Sequence, residues 1–308
     1  MNGRRGSVRH RVELPVRHSE VEVRRIDNAR VARLVLADRR AVDWPPPTDR
    51  INGEARRLLQ HVNGCWPAQL EVDFLMTFGG FMEFPWPTPE FNTHGPTLGP
   101  ALWQRMVSAA EREIRRALGT RLINQLGRRA RYLTLGIDGS ASPERRHRSE
   151  PHAELVGMYS FRTGRFLWTG KTYPLANQYA GLIRASVGSH FSTLNGNRCV
   201  VLGCHDMTMF NSRGFENAGA ERRRWMSVFR DRFQRWRPTV VLHHPHHTDT
   251  ARSWSQDWKF AFSMLPQAPA IAASGICHDN PNGGPVRQPL GAVLEKTRFM
   301  PTIDFVFS

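Results

Sequence analysis

Short apolar runs alternate with helix-period segments through most of this chain, and that alternation limits the fold more than any single residue does. Residues 72–78, 132–137, 199–203, 239–243 and 268–274 are apolar runs of five to seven residues, the length of buried strands. Residues 50–63, 102–118, 221–236 and 253–265 carry apolar side chains at helical spacing. In the second of these Val107, Ala110, Ile114 and Leu118 share one face, and Gly119 reads as the stop. In the third, Met226, Phe229, Phe233 and Trp236 face away from most of the arginines. Residues 153–161 and 165–168 flank a glycine-containing turn and read as a hairpin; residues 284–295 and 299–307 read as a closing one. With no sharp break in composition, residues 21–308 are expected to form a single α/β domain. Residues 1–20, basic and without periodicity, are expected to be a flexible arm.

The charge of +16 invites a nucleic-acid reading. It is concentrated, however: residues 1–40 hold 11 arginines against 5 acids, and a second group runs from Arg222 to Arg237 on one expected helix. A solvated basic surface accounts for this pattern, so nucleic acid is possible as a partner but not favoured. The four cysteines show no CxxC pair, which points away from a zinc ribbon or a disulfide scaffold and toward reduced thiols in a cytoplasmic protein. The N-terminus lacks the apolar segment of a secretory signal, and no run approaches the ~20 residues of a membrane helix, so no membrane partner is expected.

Cys204 ends the apolar run Cys199-Val200-Val201-Leu202-Gly203, and Lys171 lies 33 residues upstream in Trp168-Thr169-Gly170-Lys171. Lysine is rare here: of 43 basic residues only Lys171, Lys259 and Lys296 are lysines. A thiol and a compact ammonium at neighbouring strand ends suit attack on a carbon–nitrogen bond, because the ammonium favours the thiolate and then the oxyanion. The backbone N–H following the thiol, that of His205, is a second oxyanion donor. Residues 243–247, with four histidines, read as a strand-end loop along the pocket, where a histidine orients substrate or moves protons. His243 and Trp254 are the pocket candidates, and Trp86 and Trp258 could line it or pack the core.

The ordered set Leu155–Trp168 hairpin, Gly170-Lys171-Thr172-Tyr173-Pro174, Gly203-Cys204-His205-Asp206, Phe210 and Arg213 resembles the nitrilase superfamily of carbon–nitrogen hydrolases, from about residue 30 to the C-terminus. The resemblance implies a four-layer αββα sandwich, a Glu–Lys–Cys triad, no metal or organic cofactor, a small-molecule amide or nitrile substrate, and homo-oligomers paired through helices. Carried over by motif, Cys204 is the nucleophile and Lys171 its electrostatic partner. The family places its glutamate directly after an apolar strand, whereas here Phe78 is followed by Gly79-Gly80. Glu83 is the preferred general base and Glu90 the alternative, while Glu154 reads as structural, with a second acid near the lysine as its other reading.

The expected activity is therefore hydrolysis of an amide, nitrile or carbamoyl bond through a Cys204 thioester. One alternative is a catalytically lapsed binding module with a basic nucleic-acid- or partner-binding surface. The other is a metal-dependent hydrolase using His243–His247 and Asp206.

Overall fold

Successive residues of the buried strands face two different cores, and this alternation builds the layers. The computed structural model describes residues 7–13, 18–25, 30–38, 50–87, 100–141, 151–174, 178, 181–247, 251–278 and 290–307. Its strands are β1 (Ser7–Glu13), β2 (His18–Arg25), β3 (Val31–Asp38), β4 (Val72–Met76), β5 (Met82–Glu83), β6 (Ala130–Ser140), β7 (His152–Ser160), β8 (Phe166–Gly170), β9 (Phe191–Leu194), β10 (Asn197–Leu202), β11 (Val240–His243), β12 (Ala270–Ala273), β13 (Ile276–His278) and β14 (Thr302–Phe307). The helices are α1 (Ile51–Gly64), α2 (Pro100–Leu126), α3 (Ser212–Glu216), α4 (Ala220–Trp236), α5 (Ala251–Ser263) and α6 (Leu290–Lys296). One sheet runs β1-β2-β14-β3-β4-β6-β7-β8, with β13 on β3 and β5 on β6; the other runs β12-β11-β10-β9.

Leu75 of β4 and Leu155 of β7 pack with Leu58 and Leu59 of α1 and Ile114 of α2. Their neighbours Phe74, Met76, Val156 and Met158 turn the other way and meet Cys199 and Val201 of β10 and Leu242 of β11. On the far side of the second sheet, Val200, Leu202 and Val241 pack with Phe229 and Phe233 of α4 and Trp258 of α5. The order is helices, sheet, sheet, helices, the four-layer αββα sandwich expected above. Among the described residues, no helix is long and apolar enough to cross a membrane.

Several local expectations change. Within the stretch expected to be a flexible arm, Ser7–Glu13 pairs antiparallel with β2, which pairs with β14. Gly119 breaks its helix as expected, leaving the helical conformation at φ 68° and ψ 160°, but a second helical segment continues α2 to Leu126. Leu122 and Leu126 thereby join the core. The closing segment is not a hairpin, since α6 precedes β14 and β14 runs parallel to β3 in the interior of the sheet. Arg33 and Asp304, register partners on those two strands, form a buried ion pair at 2.6 Å. The β9–β10 hairpin turns at Asn195-Gly196, both at positive φ, an Asn-Gly signal visible in the sequence.

Candidate active site

β10 and β11 are parallel neighbours with Leu202 opposite His243, so the residues that follow them leave the sheet side by side. The His244 N–H donates to Leu202 O at 2.9 Å and extends that pairing. The other sheet contributes β6, β7 and β8, in which Asp138 lies opposite Glu154 and Leu155 opposite Gly170. Two glycines allow close approach here, Gly203 between the two sheets and Gly170 between β7 and β8 of one sheet. A Cβ on Gly203 would lie 2.8 Å from Lys171 N, and one on Gly170 would lie 2.5 Å from Glu154 O. The buried Asp206 carboxylate ties the strand ends together, accepting from Thr172 N and Tyr173 N at 2.9 Å and from Gly203 N at 2.8 Å.

Lys171 is buried, and its ammonium donates to Glu154 Oε1 at 2.9 Å and to Gln178 Oε1 at 2.6 Å. Gln178 in turn donates to Glu154 Oε1 at 2.9 Å. The Cys204 sulfur accepts the backbone N–H of His246 at 3.5 Å. The sulfur, a Glu154 carboxylate oxygen and a His246 ring nitrogen all lie within 4.8 Å of one another. His246 Nε2 is 2.8 Å from Asp138 Oδ2, and its Nδ1 is 3.8 Å from Glu154 Oε2. Gly79-Gly80 leaves room for this ring. A Cβ on Gly79 would meet His244 O at 2.7 Å, and one on Gly80, already at φ 65°, would meet His246 Cδ2 at 2.8 Å.

The electrostatics follow from this packing. Burial would push the Cys204 thiol up, but His246 and then His205 bring it well below the ordinary thiol value. Burial would lower His246, but Cys204 and Asp138 raise it well above the ordinary imidazole value. The same competition holds Glu154 at about 2, because Lys171 and then His246 outweigh burial. Lys171 is raised, burial being outweighed by Glu154 and Cys204. Asp138 moves upward, since burial exceeds the pull of His246 and both Glu154 and Cys204 add to the rise. The chemically consistent state is a thiolate beside an imidazolium, with Lys171 and Glu154 as a second ion pair.

A cavity of about 220 Å³ opens onto Cys204, Lys171, Glu154 and His246, and His205 and Glu83 also line it. Glu83 sits on the wall shared with a second cleft between α1 and α2, where its backbone N–H and C=O both bond the Asn52 side chain, at 2.9 and 2.7 Å. The carboxylate gathered with the sulfur is that of Glu154, not Glu83, because the β7–β8 pairing carries Glu154 with Lys171. Glu90 and the Trp254 side chain lie outside the described residues. His243 is behind the site, its Nε2 bonding Cys204 O at 2.9 Å, and Trp258 is core. Trp86 packs against the first core.

The four histidines of residues 243–247 do not converge on one point. His244 Nδ1 bonds Thr77 O at 2.7 Å and is held neutral, at about 3, by burial with His243 adding to the fall. Asp206, the other ligand of the metal reading, is committed to backbone amides. Among the described residues, the group spaced to hold a metal ion is instead Glu154, Cys204 and His246. The Lys171 ammonium at 2.9 Å from the same carboxylate opposes a cation there. Asp138 was not among the expected site residues; its sequence signal is its place one residue past the apolar run 132–137, while its register opposite Glu154 belongs to the fold.

No family model matches this chain, and no curated protein matches it. Among solved structures it is similar to a carbon-nitrogen hydrolase from Helicobacter pylori G27, with TM-score 0.44 and 5% identity over 88% of this chain and 78% of that one. It is similar to the NitN amidase from Nesterenkonia sp. AN1, with TM-score 0.42 and 16% identity over 90% of each chain. A mutant of the Nesterenkonia AN1 amidase, described as from the nitrilase superfamily, gives TM-score 0.43 and 14% identity over 91% of this chain and 90% of that one.

Proposed function

We propose that this protein hydrolyses a carbon–nitrogen bond of the amide type through a thioester on Cys204. One observation carries the reading: the Cys204 sulfur lies within 4.8 Å of both a carboxylate and an imidazole nitrogen, in a cavity that also holds a buried lysine. The thiolate adds to the carbonyl carbon of the substrate, and the oxygen takes the charge. Lys171 directs two of its three N–H donors to Glu154 and Gln178, which leaves the third for that oxyanion. The backbone N–H of His205 is the second donor, and each such donor lowers the barrier by about 3 kcal/mol. Loss of the amine leaves a thioester, and water then releases the acid.

The test is release of ammonia or amine from a panel of short aliphatic amides and N-carbamoyl compounds, with Cys204→Ala as the control. Turnover that disappears in Cys204→Ala, with an acyl adduct found on Cys204 by mass spectrometry, is the expected result. Turnover that survives Cys204→Ala removes the thioester.

A further inference from the structure

The site holds two acid–base groups where one would serve, and they are bound differently. Glu154 Oε1 accepts bonds from Lys171 and from Gln178 at 2.9 Å each, so the carboxylate is tied into the ion pair. His246 is hydrogen-bonded to a carboxylate at one nitrogen, Nε2, 2.8 Å from Asp138, while Nδ1 looks toward the Cys204 sulfur and lies 3.8 Å from Glu154 Oε2. Its backbone is fixed as well, with its N–H on the sulfur and the carbonyl of Pro245 accepting from Gly79 N at 2.9 Å. The glycine pair at residues 79–80 is shaped around it, since a Cβ on Gly80 would lie 2.8 Å from Cδ2, 2.9 Å from Nε2 and 3.1 Å from Asp138 Oδ2.

Resting on the thioester reading above, we infer that His246, oriented by Asp138, carries the protons in both halves of the reaction, and that Glu154 positions Lys171. In the resting site the sulfur is a thiolate and the ring holds both N–H protons. The thiolate adds to the carbonyl carbon, and the C=O electron pair moves onto oxygen. Collapse breaks the C–N bond while the imidazolium gives a proton to the departing nitrogen, leaving a neutral ring and a thioester. The neutral ring then takes a proton from water as the hydroxyl adds to the thioester carbon. Collapse breaks the C–S bond, releases the carboxylic acid and restores thiolate and imidazolium, with one water consumed. Glu154 is unsuited to this work: a carboxyl held at about 2 carries a proton on the order of once in 100,000 at neutral pH.

The groups that face His246 are Asp138 from β6, Glu154 and His152 from β7, Lys171 after β8, and Cys204 and His205 after β10, with His247 beside it in the chain. The test uses 4-nitrophenyl acetate, which acylates a thiolate without needing a proton on the leaving group, and iodoacetamide, which reads the thiolate directly. In His246→Gln the acetyl group is expected to remain on Cys204 about 100-fold longer than in the wild type, and the midpoint of the alkylation profile of Cys204 to move to higher pH. His246→Gly should regain deacylation when imidazole is added, which a merely structural role would not allow, and Asp138→Asn should deacylate at an intermediate rate. Deacylation of His246→Gln at the wild-type rate overturns the assignment. If wild-type Cys204 is never acetylated, the hydrolase reading itself falls. The alkylation profile then decides the pairing alone, and a profile unchanged in His246→Gln overturns it.

Discussion

Lys171 and Glu154 are joined twice: the backbone N–H of Lys171 donates to the Glu154 carbonyl at 2.8 Å, and its ammonium donates to the Glu154 carboxylate at 2.9 Å. The first bond is strand pairing carried one residue past β8, and it delivers the ammonium to the carboxylate. The carboxyl is lowered from 4.5 to about 2, so its stabilising contribution is complete above about pH 5 and is lost as pH falls toward 2. A shift of that size corresponds to about 3 kcal/mol. Urea unfolding of the wild type and Glu154→Gln at pH 7 and pH 3 checks this. The variant should be less stable at pH 7, with the difference shrinking toward pH 3; a gap unchanged with pH would show that the ion pair does not contribute.

Cys204 should be the reactive thiol among Cys65, Cys199 and Cys204. Burial raises Cys65 and pushes Cys199 up to about 12, whereas His246 and His205 lower Cys204 against its own burial. Brief iodoacetamide treatment at pH 6, followed by peptide mass spectrometry, should label Cys204 ahead of the other two. Preferential labelling of Cys65 would mean that no thiolate is held in the pocket.

Gly203→Ala should disable the site. The new Cβ would press at 2.8 Å on the Lys171 backbone, which cannot swing aside as a side-chain tip would. Overpacking of this kind costs about 1–3 kcal/mol. A displacement near 1 Å between nucleophile and lysine costs about 100-fold in rate. Thermal unfolding together with turnover of 4-nitrophenyl acetate separates the two effects. Full activity in the variant would mean that the close approach of the sheets is not needed.

Chelation should leave turnover unchanged. Glu154, Cys204 and His246 have the spacing of metal ligands, but the Lys171 ammonium at 2.9 Å from the carboxylate opposes a cation there. Dialysis against EDTA, assayed before and after, is the check. Activity lost on chelation and restored by metal would remove the thiol mechanism.

The elements were legible because their signals are local: continuous apolar runs in residues 72–78 and 199–203, and period 3.6 in α1, α2 and α4. Cys204 and Lys171 were legible for the same reason, because each follows the end of a strand readable from its neighbours. The closing segment was not, since β14 takes its place by pairing with β3, about 270 residues away, around the Arg33–Asp304 ion pair. The choice of acid was not legible either. Glu83 and Glu154 look alike as residues near strands, and only the pairing of β7 with β8 puts one of them on Lys171. The four histidines of residues 243–247 are likewise equivalent in sequence, yet His243, His244 and His246 each bond a different partner once two sheets have packed. The sequence by itself determined which segments are strands and helices and which side chains stand at their ends, because those depend on near neighbours in the chain. The tertiary structure alone decided which of those side chains meet, because that depends on strand register and on sheet contacts made possible by Gly79 and Gly203.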